Sequence, residues 1–172
     1  EKNIANVIGS VPRAIEGISK VDVLVIDDGS DDRTAYEAVN AGADYVVTHS
    51  VNRGLARAFE TGLARALELG ADIIVNTDAD EQYPSESIPS LVAPLIRGEA
   101  EIAIGDRQIK ARKLFSPLKR IMQRIGSAVV STVSGVKVND AVCGFRAYSR
   151  DAAKKTIVLS DFSYTTETII QA

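Results

Sequence analysis

The stretch Ala71-Asp-Ile-Ile-Val-Asn-Thr-Asp-Ala-Asp-Glu-Gln-Tyr-Pro84 decides the fold. Ile73, Ile74 and Val75 form a short apolar, β-branched run of the kind that makes a buried strand. The run gives way to Asp78 and Asp80, then Gln82, with Pro84 closing the turn. In an extended chain, residues two apart face the same side, so the two carboxylates are expected to aim at one point. Like charges that close repel unless a cation lies between them. Mg²⁺ and Mn²⁺ favour such oxygen donors and share them with substrate phosphates. The plain alternative is an acidic surface turn. An EF-hand is excluded, because its Gly and Glu positions, counted from Asp78, hold Tyr83 and Pro89. The Asp-x-Asp-x-Thr phosphatase signature fails at Gln82.

On the N-terminal side, residues 2–18 have apolar positions near helical spacing, with Pro12 expected to kink or break the helix. Residues 21–26 predict a strand running into Asp27-Asp-Gly-Ser-Asp-Asp-Arg-Thr34, a polar turn opening a helix at about 31–41. A second strand is expected at 44–48. Asn52-Arg-Gly54 then opens a helix that Gly70 stops. On the C-terminal side, a short helix is expected within 84–97 and a strand at 100–104, ending in Gly105-Asp106-Arg107. Residues 117–133 predict a helix, 135–140 a turn, and 142–148 a strand-like return containing Gly144. A helix from 150 and a segment with Glu167 close the chain.

Strands alternating with helices predict an α/β fold, a mostly parallel sheet with helices on both faces. Ligands bind such sheets beyond the carboxyl ends of the strands. Asp27–Ser30, Asp78–Gln82 and Gly105–Arg107 all fall there, which argues for one site built from the three.

The 172 residues are expected to form one domain, and 45% hydrophobic with 25% charged residues is ordinary for a soluble chain. A net charge of −3 does not advertise nucleic-acid binding. The single cysteine, Cys143, excludes an internal disulfide. No apolar stretch reaches the roughly 20 residues needed to span a bilayer. Within this acidic chain, residues 106–124 are basic: Arg107, Lys110, Arg112, Lys113, Lys119, Arg120 and Arg124. They make either a solvated helix face or a grip for phosphate, pyrophosphate or a lipid headgroup. His49 is expected to be a surface or structural residue, and Cys143 a small buried one. A P-loop is excluded by the absence of its Gly/Lys pattern.

Three motifs together, Asp27-Asp-Gly-Ser-x-Asp-x-Thr34, Asp78-Ala-Asp80 with Gln82 and Pro84, and Asp140-x-x-Cys-Gly-Phe-Arg-Ala-Tyr148, resemble family 2 glycosyltransferases, most of all the dolichyl/polyprenyl-phosphate sugar synthases. The resemblance covers nearly the whole chain. It implies a single GT-A domain over 1–172, truncated at both ends, since Glu1-Lys-Asn-Ile4 looks like the tail of the family's Pro-x-Tyr-Asn-Glu motif. It implies inverting transfer from a nucleotide-diphosphate sugar of GDP-mannose or UDP-glucose type. Asp27, Asp28 and Ser30 would hold the nucleoside. Asp78, Asp80 and Gln82 would surround Mg²⁺ or Mn²⁺. Arg107 would contact the sugar-phosphate, and Asp140, Gly144 and Arg146 would lie on the acceptor side. Asp80, Asp140 and Arg107 are the implied catalytic residues.

A hydroxyl acceptor would need a general base, with Asp140 or Glu167 as candidates. A lipid phosphate is already anionic and needs placing instead, a task for Lys119, Arg120 and Arg124. The expected acceptor is therefore a polyprenyl or dolichyl phosphate, reached at the cytoplasmic face of a membrane by a peripheral protein or a soluble domain. The remaining alternatives are a sugar-phosphate nucleotidyltransferase, whose basic loop the acidic Asp27–Ser30 turn does not match, and a non-catalytic nucleotide-sugar-binding module. The chain departs from the family at Glu81, where Gly is common, and the sequence ends before any hydrophobic tail segment of the kind many lipid-phosphate transferases have.

Overall fold

The computed structural model describes residues 3–81, 83–105, 143–158, 164–165 and 167–170. Helix α1 is Ile4–Ser10, shorter than the expected 2–18. Proline excludes the helical conformation from the residue before it, and Val11 is accordingly extended at φ −68° and ψ 122°. Ile4 and Ile8 of α1 bury themselves against Ala38 of α2 (Thr34–Asn40).

Strand β1 (Leu24–Asp27) pairs in parallel with β2 (Tyr45–Thr48), Asp27 lying opposite Thr48. Helix α3 (Leu55–Glu68) turns Ala56, Phe59 and Leu63 inward. It packs on β1 and on β3 (Ile73–Asn76). A 3₁₀ turn at Ser85–Ser87 leads into α4 (Ile88–Ile96), and β4 is Ile102–Ile104. Strand β5 (Arg146–Ser149) is followed by α5 (Arg150–Lys155), whose N-cap Ser149 accepts from the Ala152 amide at 3.1 Å. A short α6 spans Glu167–Ile170.

The expected parallel pairing holds for β1 and β2. The second described sheet differs: β5 inserts between β3 and β4 and runs antiparallel to both. The chain comes back from β4 into the slot beside it, which reverses β5 while β3 and β4 keep a common direction.

The alternation of side chains along β5 divides the core. Phe145 and Ala147 join Tyr83, Ile88, Leu91, Val92 and Cys143 under α4. Tyr148 joins Phe59, Leu63, Ala153 and Tyr164 beneath α3 and α5. Helices on both faces are thus as expected. The Tyr148 hydroxyl is buried with no hydrogen-bond partner among the described residues. An unpaired buried hydroxyl costs about 1 kcal/mol or more. Tyr148→Phe is therefore expected to leave stability unchanged or raise it by about 1 kcal/mol, read from the urea midpoint. A loss above about 1 kcal/mol would count against the orphaned hydroxyl.

Candidate active site

Because β5 runs against its neighbours, the carboxyl ends of β3 and β4 meet its amino end, with Asn76 and Ile104 both in register with Arg146. The residues just beyond therefore touch. The Gly105 amide donates to the Phe145 carbonyl at 2.9 Å. Asn76 Nδ2 donates to the Gly144 carbonyl at 2.9 Å and to Tyr164 Oη at 2.7 Å. The Gly144 amide donates to Tyr83 Oη at 3.1 Å.

Gly144 borders Asp78. A Cβ placed on Gly144 would lie 2.8 Å from Asp78 Oδ2. Asp78 is half-buried, and its charge together with burial pushes the Tyr164 phenol well above its ordinary pKa, burial being the larger cause. Asp80 is exposed. The expectation that both carboxylates share a face rested on extended chain, but β3 ends at Asn76 and the backbone turns at Ala79 and Asp80. The pleat therefore does not set their relative aim.

Glu81 then adopts φ 61°, the left-handed region that explains why glycine suits this position. Its Oε1 accepts from Asn6 of α1 at 3.1 Å. Glu81→Gly is expected to stabilise the chain by about 1 kcal/mol, since the strain outweighs an exposed hydrogen bond. A lowered urea midpoint would show that the Asn6 tether matters more.

Among the described residues no three His, Cys, Asp or Glu side chains form a ready cation cage, and the expected third ligand, Gln82, lies outside them. What is present fits a hard divalent cation: carboxylates at Asp78 and Asp80, and a glycine that leaves room beside one of them.

The other acidic turn follows β1. Asp27 is buried, and its Oδ1 accepts from the Ser30 amide at 3.1 Å. Asp28, expected to contact the nucleoside, is engaged by the protein's own groups. Its Oδ1 takes the Arg53 amide at 2.9 Å and lies 2.6 Å from His49 Nδ1, and its Oδ2 takes the Gly54 amide at 2.8 Å. Its carboxylate thus braces the loop ahead of α3. Directly after these two acids, Gly29 sits at φ 74°, tight against Val51 and Asn52.

Arg146, expected on the acceptor side, is wholly buried. Its Nε donates to the Cys143 carbonyl at 2.8 Å and its guanidinium to Thr168 Oγ1 at 2.6 Å. A buried guanidinium with these partners ties β5 to α6. Glu167, a candidate base, stands in the first turn of α6. Arg107, Lys119, Arg120, Arg124 and Asp140 lie outside the described residues. Sequence reasoning missed four participants: His49, Arg53, Asn76 and Tyr164. Asn76 had a signal, a polar residue closing an apolar strand. Arg53 had another, a cation beside a glycine that opens a helix.

Two acidic turns at strand carboxyl ends, with helices on both faces, define an α/β domain of GT-A architecture. The chain belongs to glycosyl transferase family 2, whose model its residues 1–157 match. It is 32% identical over 174 residues to the UDP-N-acetylglucosamine–dolichyl-phosphate N-acetylglucosaminyltransferase of Methanococcus voltae, covering 90% of this chain and 67% of that one. It is 30% identical over 174 residues to the dolichyl-phosphate hexose transferase of Haloferax volcanii, covering 100% of this chain and 69% of the relative. Among solved structures, glucosyl-3-phosphoglycerate synthase from Mycobacterium tuberculosis, in complex with Mn²⁺, UDP-glucose and glycerol 3-phosphate, superposes with a TM-score of 0.65 at 27% identity, covering 88% of this chain and 53% of that one. The chain thus spans about half to two thirds of the length of the proteins it matches. No helix among the described residues is long and apolar enough to cross a membrane.

Proposed function

We propose that this chain is the donor-binding part of an inverting, metal-dependent glycosyltransferase that moves a hexose from a nucleotide-diphosphate sugar to a polyprenyl or dolichyl phosphate. The observation carrying the reading is the edge where β3 ends and β5 begins, which brings Asp78 against Gly144. The names of the Methanococcus and Haloferax relatives support the acceptor, and the Mn²⁺ and UDP-glucose in the mycobacterial structure support the donor and the cation.

Asp78, Asp80 and Gln82 would hold Mg²⁺ or Mn²⁺, which when bound neutralises charge on the departing diphosphate. Asp27 and Ser30 face the nucleoside, with Asp28 bracing the loop beside them. Arg107 steadies the sugar-phosphate. Lys119, Arg120 and Arg124 receive the acceptor phosphate, whose anionic oxygen attacks the anomeric carbon directly. Asp140 borders the acceptor. The protein works at the cytoplasmic face of a membrane, peripherally or as a soluble domain.

Calorimetric titration with UDP- and GDP-sugars, with and without Mn²⁺, tests the donor half. Expected is binding strengthened at least about ten-fold by the metal, since a cation offsets the repulsion between carboxylates and diphosphate. Metal-independent binding, or none, would refute it. For the acceptor half, Arg120→Ala should raise the KM for polyprenyl phosphate and leave donor binding alone. An unchanged acceptor KM would favour a hydroxyl acceptor.

A further inference from the structure

His49 was expected to be a surface or structural residue, and its surroundings give it more to do. It lies just past β2, and 9% of its surface is exposed. Its amide donates to the Asp27 carbonyl at 2.9 Å. Its ring spans Asp28 Oδ1, 2.6 Å from Nδ1, and Thr61 Oγ1 of α3, 3.0 Å from Nε2. An ionised carboxylate only accepts, so the Nδ1 facing Asp28 carries the hydrogen.

Asp28 in turn receives the consecutive amides of Arg53 and Gly54, the latter at φ 91° and ψ 159°, a conformation natural only to glycine. Burial alone would push the Asp28 carboxyl up, but the hydrogen bonds from His49, Arg53 and Gly54 outweigh it and hold the pKa below its ordinary value. Stability alone does not call for this arrangement, because apolar side chains fill such a space equally well. What the network uniquely does is fix one loop against another. It locks residues 52–54 to the turn that carries Asp27 and Ser30, and it sets where the exposed Arg53 side chain leaves the backbone.

We infer that His49 is a positioning residue of the donor subsite, holding Asp28 on the Arg53–Gly54 backbone so that the nucleotide meets a preformed rim built from the turn of Asp27 and the loop of Arg53. The inference rests on the nucleotide-sugar reading above. Its reach is donor affinity and not the transfer step, since none of these groups belongs to the Asp78–Asp80 turn that would hold the cation.

The test is calorimetric titration of UDP and GDP, each with Mn²⁺, into the unaltered chain, His49→Leu and His49→Asn, alongside steady-state transfer and thermal melts. Leucine keeps the volume and loses the hydrogen bond. Asparagine places an N–H donor near the former Nδ1. Losing a hydrogen bond to a carboxylate predicts a nucleotide Kd and donor KM raised about ten-fold in His49→Leu, with kcat and acceptor KM nearly unchanged. His49→Asn should recover most of the affinity. Unchanged Kd in His49→Leu, or a fall in kcat with donor KM unmoved, overturns the inference, as does His49→Asn binding no better than His49→Leu. If His49→Leu fails to fold, His49→Gln replaces it, since its amide reaches toward Thr61 and not Asp28. Equal binding by the Gln and Asn variants then overturns the inference. An unaltered chain that binds neither nucleotide refutes the donor reading and the inference with it, a result distinguished by needing no variant.

Discussion

Gly29→Ala is expected to destabilise the chain by about 3 kcal/mol, combining the strain of a left-handed alanine with overpacking against backbone. Gly29 has φ 74°, and an added Cβ would stand 2.5 Å from the Val51 carbonyl carbon and 2.6 Å from the Asn52 nitrogen. A clash with the tip of a side chain could be relieved by rotation. Here the obstacle is main chain, and the amides of Arg53 and Gly54 just beyond it are tied to Asp28. The loop cannot retreat without giving up those bonds. Gly70 supplies the comparison: its φ is 87°, yet no atom of the described residues lies within 4 Å of its would-be Cβ. Gly70→Ala should therefore cost only the backbone strain, about 1 kcal/mol. Urea denaturation of both variants checks this. If Gly29→Ala is no less stable than Gly70→Ala, the two loops are not in contact as described.

The same contact shows what a sequence can and cannot carry. The strands ending at Asp27, Thr48, Asn76 and Ile104 were legible because each is an apolar run stopped by polar residues, and that local pattern survives any tertiary context. Their carboxyl ends, and hence the neighbourhood of the site, followed from the strand–helix alternation. Strand β5 was legible as a strand but not in its direction, because direction depends on which slot the chain returns to. The partners of Arg146 were hidden for a related reason. An arginine in a short motif suggests a ligand contact, and only the fold reveals that its guanidinium faces the Cys143 carbonyl and Thr168. The partners of Asp28 lie 21 to 26 positions away. No periodicity reports pairs so distant. Glu81 was visible as a departure from the family at a glycine position, and its φ of 61° gives the cause: the backbone there requires the left-handed region whatever residue occupies it.

Gly144→Ala should separate folding from chemistry. The obstacle to a Cβ here is movable: Asp78 Oδ2 at 2.8 Å and Cγ at 3.5 Å, with Tyr164 Oη at 3.4 Å. The variant is expected to fold with a loss of about 1 kcal/mol, within the range for modest overpacking. Its effect falls on where the Asp78 carboxylate can sit. The Tyr164 phenol is pinned by Asn76 at 2.7 Å, and Asn76 also holds the Gly144 carbonyl at 2.9 Å. The phenol and the Gly144 backbone are thus both tied to Asn76, and the added methyl presses on the carboxylate. A displaced Asp78 changes the geometry of the proposed cation and diphosphate, and misplacement of about 1 Å at a reacting centre costs about 100-fold in rate. Transfer measured over a range of Mn²⁺ concentrations should show a rate about 100-fold lower and a requirement for more metal, while the urea midpoint moves little. Asp78→Asn should match it in rate, and the double variant should be little worse than either, because both act on one carboxylate. Full turnover in Gly144→Ala at ordinary Mn²⁺, with the fold intact, would mean that Asp78 holds neither metal nor donor and that the acidic turn after β3 has another purpose.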